Sequence, residues 1–144
     1  WDLIEKDSRT MDEYRDEAKR QLDFLPYAPL VFISAKFGQR VQNVLEMALL
    51  VEAERRKRVT TSAINKLLRD AVAKHPPASK PGKYVKFYYA TQADVSPPTF
   101  VFFCNEPDQV HFTYKRFLEN QIREQFGFVG NPVRMTLRGR EEDE

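Results

Sequence analysis

Aromatic side chains are concentrated in one stretch of this 144-residue chain, and this clustering restricts where a hydrophobic core can form. Of the 18 Phe, Tyr and Trp residues, 12 lie between Tyr84 and Phe128. Two runs within the stretch, Tyr84–Tyr89 and Thr99–Cys104, are rich in the residues that strands prefer. A unit of about 80 residues has few other large side chains to bury, so we expect most of these rings in the core.

The patterns on either side of these runs predict a small α+β unit. Residues 60–62 offer caps for a helix whose apolar stripe spans residues 64–72, and a second helical pattern covers residues 114–126. Residues 133–137 alternate between apolar and polar, as a half-buried strand does, and residues 91–98 suit a long antiparallel connection. The predicted order is helix, strand, strand, helix, strand, in a three-stranded sheet with helices on one face.

The first part of the chain has a different pattern. Residues 12–25 and 41–49 have helical patterns, and between them Leu30–Ile33 is a short apolar run typical of a strand buried on both faces. This succession indicates the end of a doubly wound α/β domain, whose ligands bind at the carboxyl ends of strands. The loop from Ser34 to Gly38 is therefore a candidate site. The opening WDLIEKD contains no Met, and we expect a longer protein to extend beyond it.

Charge divides the chain near the boundary between these two patterns. The formal net charge is +2, but residues 1–54 hold 7 basic and 11 acidic groups, whereas residues 55–140 hold 16 basic and 6 acidic ones. The last four residues, EEDE, are all acidic. The run Arg55–Arg58, called the basic hinge below, suits either a capped helix end or a link between two units. It predicts a domain boundary near residue 58.

Composition argues against several classes of protein. The single Cys cannot form an internal disulfide, and no apolar run approaches the roughly 18–20 residues of a membrane span. Cys104 ends a strand-like run and suits a buried, reduced thiol, while two His without metal-ligand spacing do not indicate a zinc site. We expect a cytoplasmic protein with no membrane span, and a chain with no metal site and no catalysis of its own.

Basic side chains in the second part are spaced for contact with phosphate groups. The candidates for RNA binding are Lys115, Arg116, Arg123, Arg134 and Arg138. The first three lie on or beside one helix face, and the last two share one face of the final strand. With exposed aromatic rings they would form a surface for single-stranded RNA. The alternative is ordinary solvated charge on a protein surface.

These residues resemble a known family. Trp1-Asp2 and Ser34-Ala35-Lys36 are similar to the last two guanine-specificity motifs of Ras-like GTPases, NKxD and SAK. Asn105 and three later segments resemble the C-terminal KH-like domain of the bacterial double GTPases called Der or EngA. The segments are Pro97-Pro98-Thr99-Phe100-Val101, Tyr114-Lys115-Arg116-Phe117-Leu118-Glu119-Asn120 and Gly127-Phe128-Val129-Gly130-Asn131-Pro132. On this ordered set the chain is identified as a member of that family.

The resemblance implies an α/β remnant of a Ras-like GTPase domain followed by an α+β KH-like domain. Residues 1–57 would be the truncated C-terminal portion of a P-loop GTPase domain, residues 58–140 the KH-like domain and residues 141–144 an acidic tail. It also implies a parent with two successive GTPase domains that hydrolyses GTP with Mg²⁺ in assembly of the large ribosomal subunit. The expected partners are ribosomal RNA and that subunit, without DNA or membrane. The alternative is a KH-like module that packs against the parent's own GTPase domains and relays their nucleotide state.

The resemblance also implies a role for each residue of the guanine site. Asp2 would accept hydrogen bonds from the guanine N1–H and N2–H₂, and the Ala35 N–H would donate to O6, with Ser34 and Lys36 shaping the loop. Adenine leaves these groups unpaired. No GxxxxGK[ST] motif occurs, so we expect this chain alone neither to bind GTP and Mg²⁺ tightly nor to hydrolyse GTP.

The one match to the GXXG clamp of RNA-binding KH domains is Gly127-Phe128-Val129-Gly130. Its middle residues are apolar, and its position after a helix instead predicts a helix cap followed by a turn. We therefore expect RNA to use another surface. We also expect residues 1–54 to depend on the neighbouring unit for stability, because a partial sheet exposes apolar surface.

Overall fold

The computed structural model describes residue 2 and residues 9–140. The elements are α1 Thr10–Gln21, α2 Val41–Arg55, α3 Thr61–Lys74, β1 Phe87–Asp94, β2 Thr99–Cys104, a 3₁₀ turn Pro107–Gln109, α4 Phe112–Phe126 and β3 Arg134–Arg138. From α3 onward the order is helix, strand, strand, helix, strand, as the sequence predicts. The expectations for Trp1 and for the acidic tail at 141–144 lie outside the described residues.

The three strands form one mixed sheet in the order β1-β2-β3. β1 and β2 run antiparallel, as predicted, whereas β2 and β3 run parallel. A parallel pair needs a long crossover, and the segment containing α4 supplies it. Phe87 pairs with Cys104 and Tyr89 pairs with Phe103, so Tyr88 is the extra residue of a bulge in β1.

Two helices, α3 and α4, cover one face of the sheet, as predicted. Phe100 and Phe102 of β2 are fully buried in one cluster with Ile64 of α3 and with Leu118 and Ile122 of α4. Full burial of a side chain of this size contributes about 1.5–3 kcal/mol, so this cluster is the main source of stability. The opposite face of the sheet is called the open face below.

Capping groups determine where α3 and α4 begin and end. The Thr60 hydroxyl accepts a hydrogen bond from the Ala63 N–H at 3.2 Å, and His111 Nδ1 accepts one from the Thr113 N–H at 3.2 Å. Gly127 follows α4 with a φ of +88°, a conformation that glycine adopts without steric cost. Its predicted role as the helix cap is therefore confirmed.

Two predictions about strands are wrong. Leu30–Ile33 belongs to no strand, and the nearest pairing among the described residues is a single bridge between Ser34 and Gln39. A strand needs a neighbour with which to exchange backbone hydrogen bonds, and the described residues provide none at this position. The connection predicted for residues 91–98 is also shorter than expected, because residues 91–94 pair with β2 and continue β1 to Asp94.

The helix α2 presents apolar side chains to solvent. Leu45 is 60% exposed and Leu49 is 72% exposed, and no residue of the helix is fully buried. Apolar surface of this kind is typical of a helix that packs against further protein. Within the part of the chain that the structure describes, no helix combines the length and the apolar character needed to cross a bilayer.

Candidate nucleic-acid interface

Two of the predicted RNA-binding residues lie on the open face of the sheet. Arg134 and Arg138 are exposed at the two ends of β3, with exposed Thr136 between them. Met135 and Leu137 pack against the core from the same strand, so the predicted alternation is confirmed. The strand therefore holds two guanidinium groups on a surface that ligands can reach.

The candidates on α4 lie on a different side of the molecule. Arg116 and Arg123 line a cavity of about 380 Å³ together with Tyr27. Arg123 donates to the Asn131 carbonyl at 2.8 Å, and its guanidinium carbon lies 4.7 Å from the centroid of the Tyr27 ring. These contacts tie α4 to the first part of the chain. They leave Arg123 less available to phosphate than Arg116 and Lys115, which are exposed.

The five candidates therefore form two groups, because α4 packs on the covered face of the sheet while Arg134 and Arg138 lie on the open face. Spacing within an element predicts which side chains share a face. It does not predict whether the faces of two elements coincide, which depends on how the elements pack.

The turn at residues 127–130 is covered by α2. Glu54 Oε2 accepts a hydrogen bond from the Phe128 N–H at 3.0 Å, and Asn131 Nδ2 donates to the Val51 carbonyl at 2.9 Å. A Cβ at the second glycine of the turn would lie 2.5 Å from a Val51 methyl carbon, so only glycine allows this approach. The turn thus serves a contact within the chain, and its not being an RNA clamp stays a prediction.

The basic hinge takes part in the same interface. Lys57 pairs with Glu54 at 2.6 Å and also donates to the Phe126 carbonyl. Arg55 donates to the Ser96 carbonyl at 3.2 Å. These two side chains therefore hold α2 against the KH-like unit.

Sequence patterns do not identify Gln92, which joins the hinge to β1. Its side chain is buried, with Oε1 accepting from the Val59 N–H at 2.6 Å and Nε2 donating to the Lys57 carbonyl at 3.2 Å. Its backbone carbonyl accepts from Arg58 at 3.2 Å. The one signal in the sequence is that Gln92 is polar at a position of β1 whose side chain, by the alternation of the strand, lies on the core side.

Two of the residues that the resemblance assigns to guanine are brought together. The Ser34 hydroxyl donates to Asp2 Oδ1 at 2.5 Å. Ser34 is buried and its backbone pairs with Gln39, which closes a tight loop. Ala35 and Lys36 are exposed in that loop. A carboxylate thus lies beside an exposed loop, and the guanine-binding role of these residues stays a prediction.

Titratable side chains elsewhere in the described part of the chain include two whose pKa burial raises. Among residue 2 and residues 9–140, no three His, Cys, Asp or Glu side chains are grouped so as to hold a metal ion. Burial raises the pKa of the Cys104 thiol, which keeps it protonated. Burial also raises the pKa of Tyr114 to about 12, and its hydroxyl donates to the His75 carbonyl at 2.7 Å.

The three-stranded mixed sheet with α3 and α4 on one face defines an α+β domain of the KH-like class. Residues 58–138 match the family described as the KH-domain-like C-terminal domain of EngA bacterial GTPase enzymes. The chain belongs to this family.

Curated relatives support this assignment along nearly the whole chain. The chain is 52% identical over 143 residues to a GTPase Der of Thermomicrobium roseum and 53% identical over 142 residues to one of Moorella thermoacetica. Both alignments cover 98% of this chain, but they cover only 31% and 32% of the two relatives. The chain therefore spans about a third of the length of the curated relatives it matches.

Proposed function

We propose that this chain acts as the C-terminal region of a cytoplasmic GTPase in assembly of the large ribosomal subunit, where its KH-like domain contacts ribosomal RNA. The names of the relatives and the family match support the GTPase part. The observation that carries the RNA contact is the pair of exposed guanidinium groups, Arg134 and Arg138, on the open face. They belong to a segment, residues 55–140, with 16 basic and 6 acidic groups.

Phosphate contacts give RNA binding a characteristic dependence on salt. Each neutralised phosphate of a single strand releases counterions and contributes about −0.7 to the slope of log K against log salt concentration. Arg134 and Arg138 together should therefore account for a slope of about −1.4. Neutral surface contacts give no such slope.

Fluorescence anisotropy of large-subunit ribosomal RNA fragments with this chain tests the contact, in salt from about 50 to 200 mM. We expect the double variant Arg134→Ala/Arg138→Ala to bind more weakly and with a shallower slope than the wild type. The control Lys66→Ala/Lys74→Ala removes the same charge from α3, and it should bind like the wild type. Equal losses in both variants would mean that only net charge matters, which contradicts the proposed site.

The proposal includes GTP and Mg²⁺ as ligands of the longer protein. Bound GTP with Mg²⁺ supplies a phosphoanhydride that water can hydrolyse. In this chain, Asp2 would accept hydrogen bonds from the guanine, the Ala35 N–H would donate to it, and Ser34 and Lys36 would support the loop. The phosphate-binding motif is not in this sequence, so calorimetry of the chain with GTP should show no tight binding. Tight binding of GTP by this chain, or release of phosphate from GTP, would contradict the proposal that the phosphate-binding residues lie outside this sequence.

The contacts between α2 and the turn at residues 127–130 favour a second candidate function. In this alternative the KH-like unit is an interaction module that senses the GTPase domain through α2. Asn131 occupies a central position, because it is buried, donates to the Val51 carbonyl and accepts from Arg123.

Hydrogen exchange separates the two functions. In the Asn131→Ala variant, the amides of α2 should exchange faster, because their helix loses its anchor on the turn. If RNA affinity is unchanged in this variant while Arg134→Ala/Arg138→Ala weakens it, RNA contact and relay use different surfaces. If Asn131→Ala weakens RNA binding as much as the arginine variant does, α2 docking and RNA binding are one function.

A further inference from the structure

We propose that the open face of the sheet is a stacking platform for unpaired RNA bases, built on a row of side chains that crosses all three strands. The row consists of Tyr89 of β1, Phe103 of β2 and Arg138 of β3. This inference rests on the RNA contact proposed above, and it specifies the form of RNA and the surface that receives it.

Strand pairing places the three side chains next to one another. Phe103 pairs with Tyr89 on one side and with Arg138 on the other. The rings of Tyr89 and Phe103 are stacked, with centroids 4.4 Å apart and an angle of 15° between their planes. Tyr89 remains 49% exposed in this arrangement. An exposed ring therefore lies beside a second ring, with a guanidinium at the far end of the row.

Tyr88, the bulge residue of β1, presents another exposed ring at the edge of the sheet, where it also lines a cavity with Leu68 and Arg69 of α3. The Arg140 guanidinium carbon lies 5.3 Å and the Lys86 ammonium nitrogen 5.9 Å from the centroid of the Tyr88 ring, which is 40% exposed. Aromatic faces and cations thus alternate across this end of the sheet. Bases stack on rings and guanidinium planes, while the cations neutralise the phosphates between the bases.

The neighbouring row has smaller side chains, and Val101 at its centre is only 6% exposed. In it, Thr91, Val101 and Thr136 pair across the three strands, and their side chains are smaller than those of the aromatic row. No carboxylate occurs in either row. Positive charge beside exposed rings complements a polyanion that carries unpaired bases, and it does not complement the face of a duplex, whose bases are already stacked.

This surface does not depend on the turn that resembles a KH clamp. That turn, at residues 127–130, is covered by α2 through the Glu54 and Asn131 hydrogen bonds. The sheet row lies on the open face, away from α3 and α4. RNA can therefore occupy the platform while α2 stays docked.

The test uses a short single-stranded RNA that contains the fluorescent base 2-aminopurine, titrated with the full 144-residue chain. Stacking on the platform should quench the fluorescence of the wild-type complex. Tyr89→Leu removes the exposed ring and should lower affinity about 5- to 150-fold with loss of the quenching, because aromatic stacking accounts for a difference of that size per base. Tyr89→Phe keeps the ring and should behave like the wild type.

Phe112→Leu provides the matched control, because Phe112 is 64% exposed but lies on α4. It should leave both affinity and quenching unchanged. Equal affinity of wild type and Tyr89→Leu would overturn the platform, as would equal affinity for a duplex of the same sequence. If the ligand of this face is a peptide or a protein, the wild type and Tyr89→Leu should likewise bind the RNA equally.

The outcomes distinguish this inference from the broader proposal. If Arg134→Ala/Arg138→Ala weakens binding and Tyr89→Leu does not, RNA binds the face without stacking, and only the platform fails. If neither variant weakens RNA binding, both proposals fail. If Tyr89→Leu does not fold, the wild-type comparison of single strand with duplex and the quenching decide the question.

Discussion

Buried amides and glycines hold the two parts of this chain together, and single substitutions reveal what each one does. Gln92 and Asn131 are buried polar residues whose hydrogen bonds join segments far apart in sequence. A buried polar group that loses its partner costs about 1–3 kcal/mol. Such residues are difficult to identify from sequence, because their partners are backbone groups that any residue type carries.

We expect Gly130→Ala to destabilise the chain more than Gly82→Ala, by about 1–3 kcal/mol for the added overpacking. Both glycines have positive φ, +73° and +77°, so both variants carry the same backbone penalty. Only at Gly130 does the new methyl meet Val51, at 2.5 Å. Urea denaturation of the two variants measures the difference. Equal stability would show that α2 does not pack on the turn.

Tyr114 should make stability depend on pH at the alkaline end. Burial raises the pKa of its hydroxyl from the usual value near 10 to about 12. The contribution of this hydroxyl to the free energy of unfolding is fully present below pH 10. It is lost as the pH rises through 12, because the hydroxyl ionises first in the unfolded state. Tyr114→Phe should remove this part of the pH dependence, and near neutral pH it should cost about 0.5–1.5 kcal/mol for the lost hydrogen bond to His75. Parallel pH curves for the two proteins would contradict this account.

At the scale of the element, prediction from sequence succeeded where an element and its partner both lie in this chain. The helices α3 and α4 and the strand β3 follow from apolar periodicity and β2 from its strand-forming residues, and the described residues contain the core they pack against. Leu30–Ile33 has the composition of a strand but no neighbouring strand among the described residues. The end of β1 is polar enough to suit a loop, and its pairing with β2 decided its structure.

Replacement of Gln92 tests how firmly β1 and the basic hinge are joined. Gln92→Leu keeps a side chain of similar size but leaves the Val59 N–H and the Lys57 carbonyl without their hydrogen-bond partner. We expect a loss of about 1–3 kcal/mol in the free energy of unfolding. Thr136→Val, at an exposed position on the open face, is the control and should stay within about 0.5 kcal/mol of the wild type. A neutral Gln92→Leu would mean that water satisfies these groups.

At the scale of the whole molecule, the basic groups of the second part of the sequence lie in different surroundings. Lys57 and Arg55 of the basic hinge donate hydrogen bonds to the KH-like unit, although Arg55 is exposed, as the arginines of β3 are. A count of charge therefore overstates the surface available to RNA. Sequence predicted the basic character and the residues of each face, but packing decided which face is open.

Crosslinking of this chain to large-subunit ribosomal RNA, followed by mass spectrometry of tryptic peptides, tests the central claim most directly. The open face and the turn fall on different peptides, since residues 87–115 contain Tyr89 and Phe103 while residues 124–134 contain the turn. The account predicts crosslinks at Tyr89 or Phe103 that disappear when salt is raised. Crosslinks confined to residues 124–134, or to α4, would contradict it.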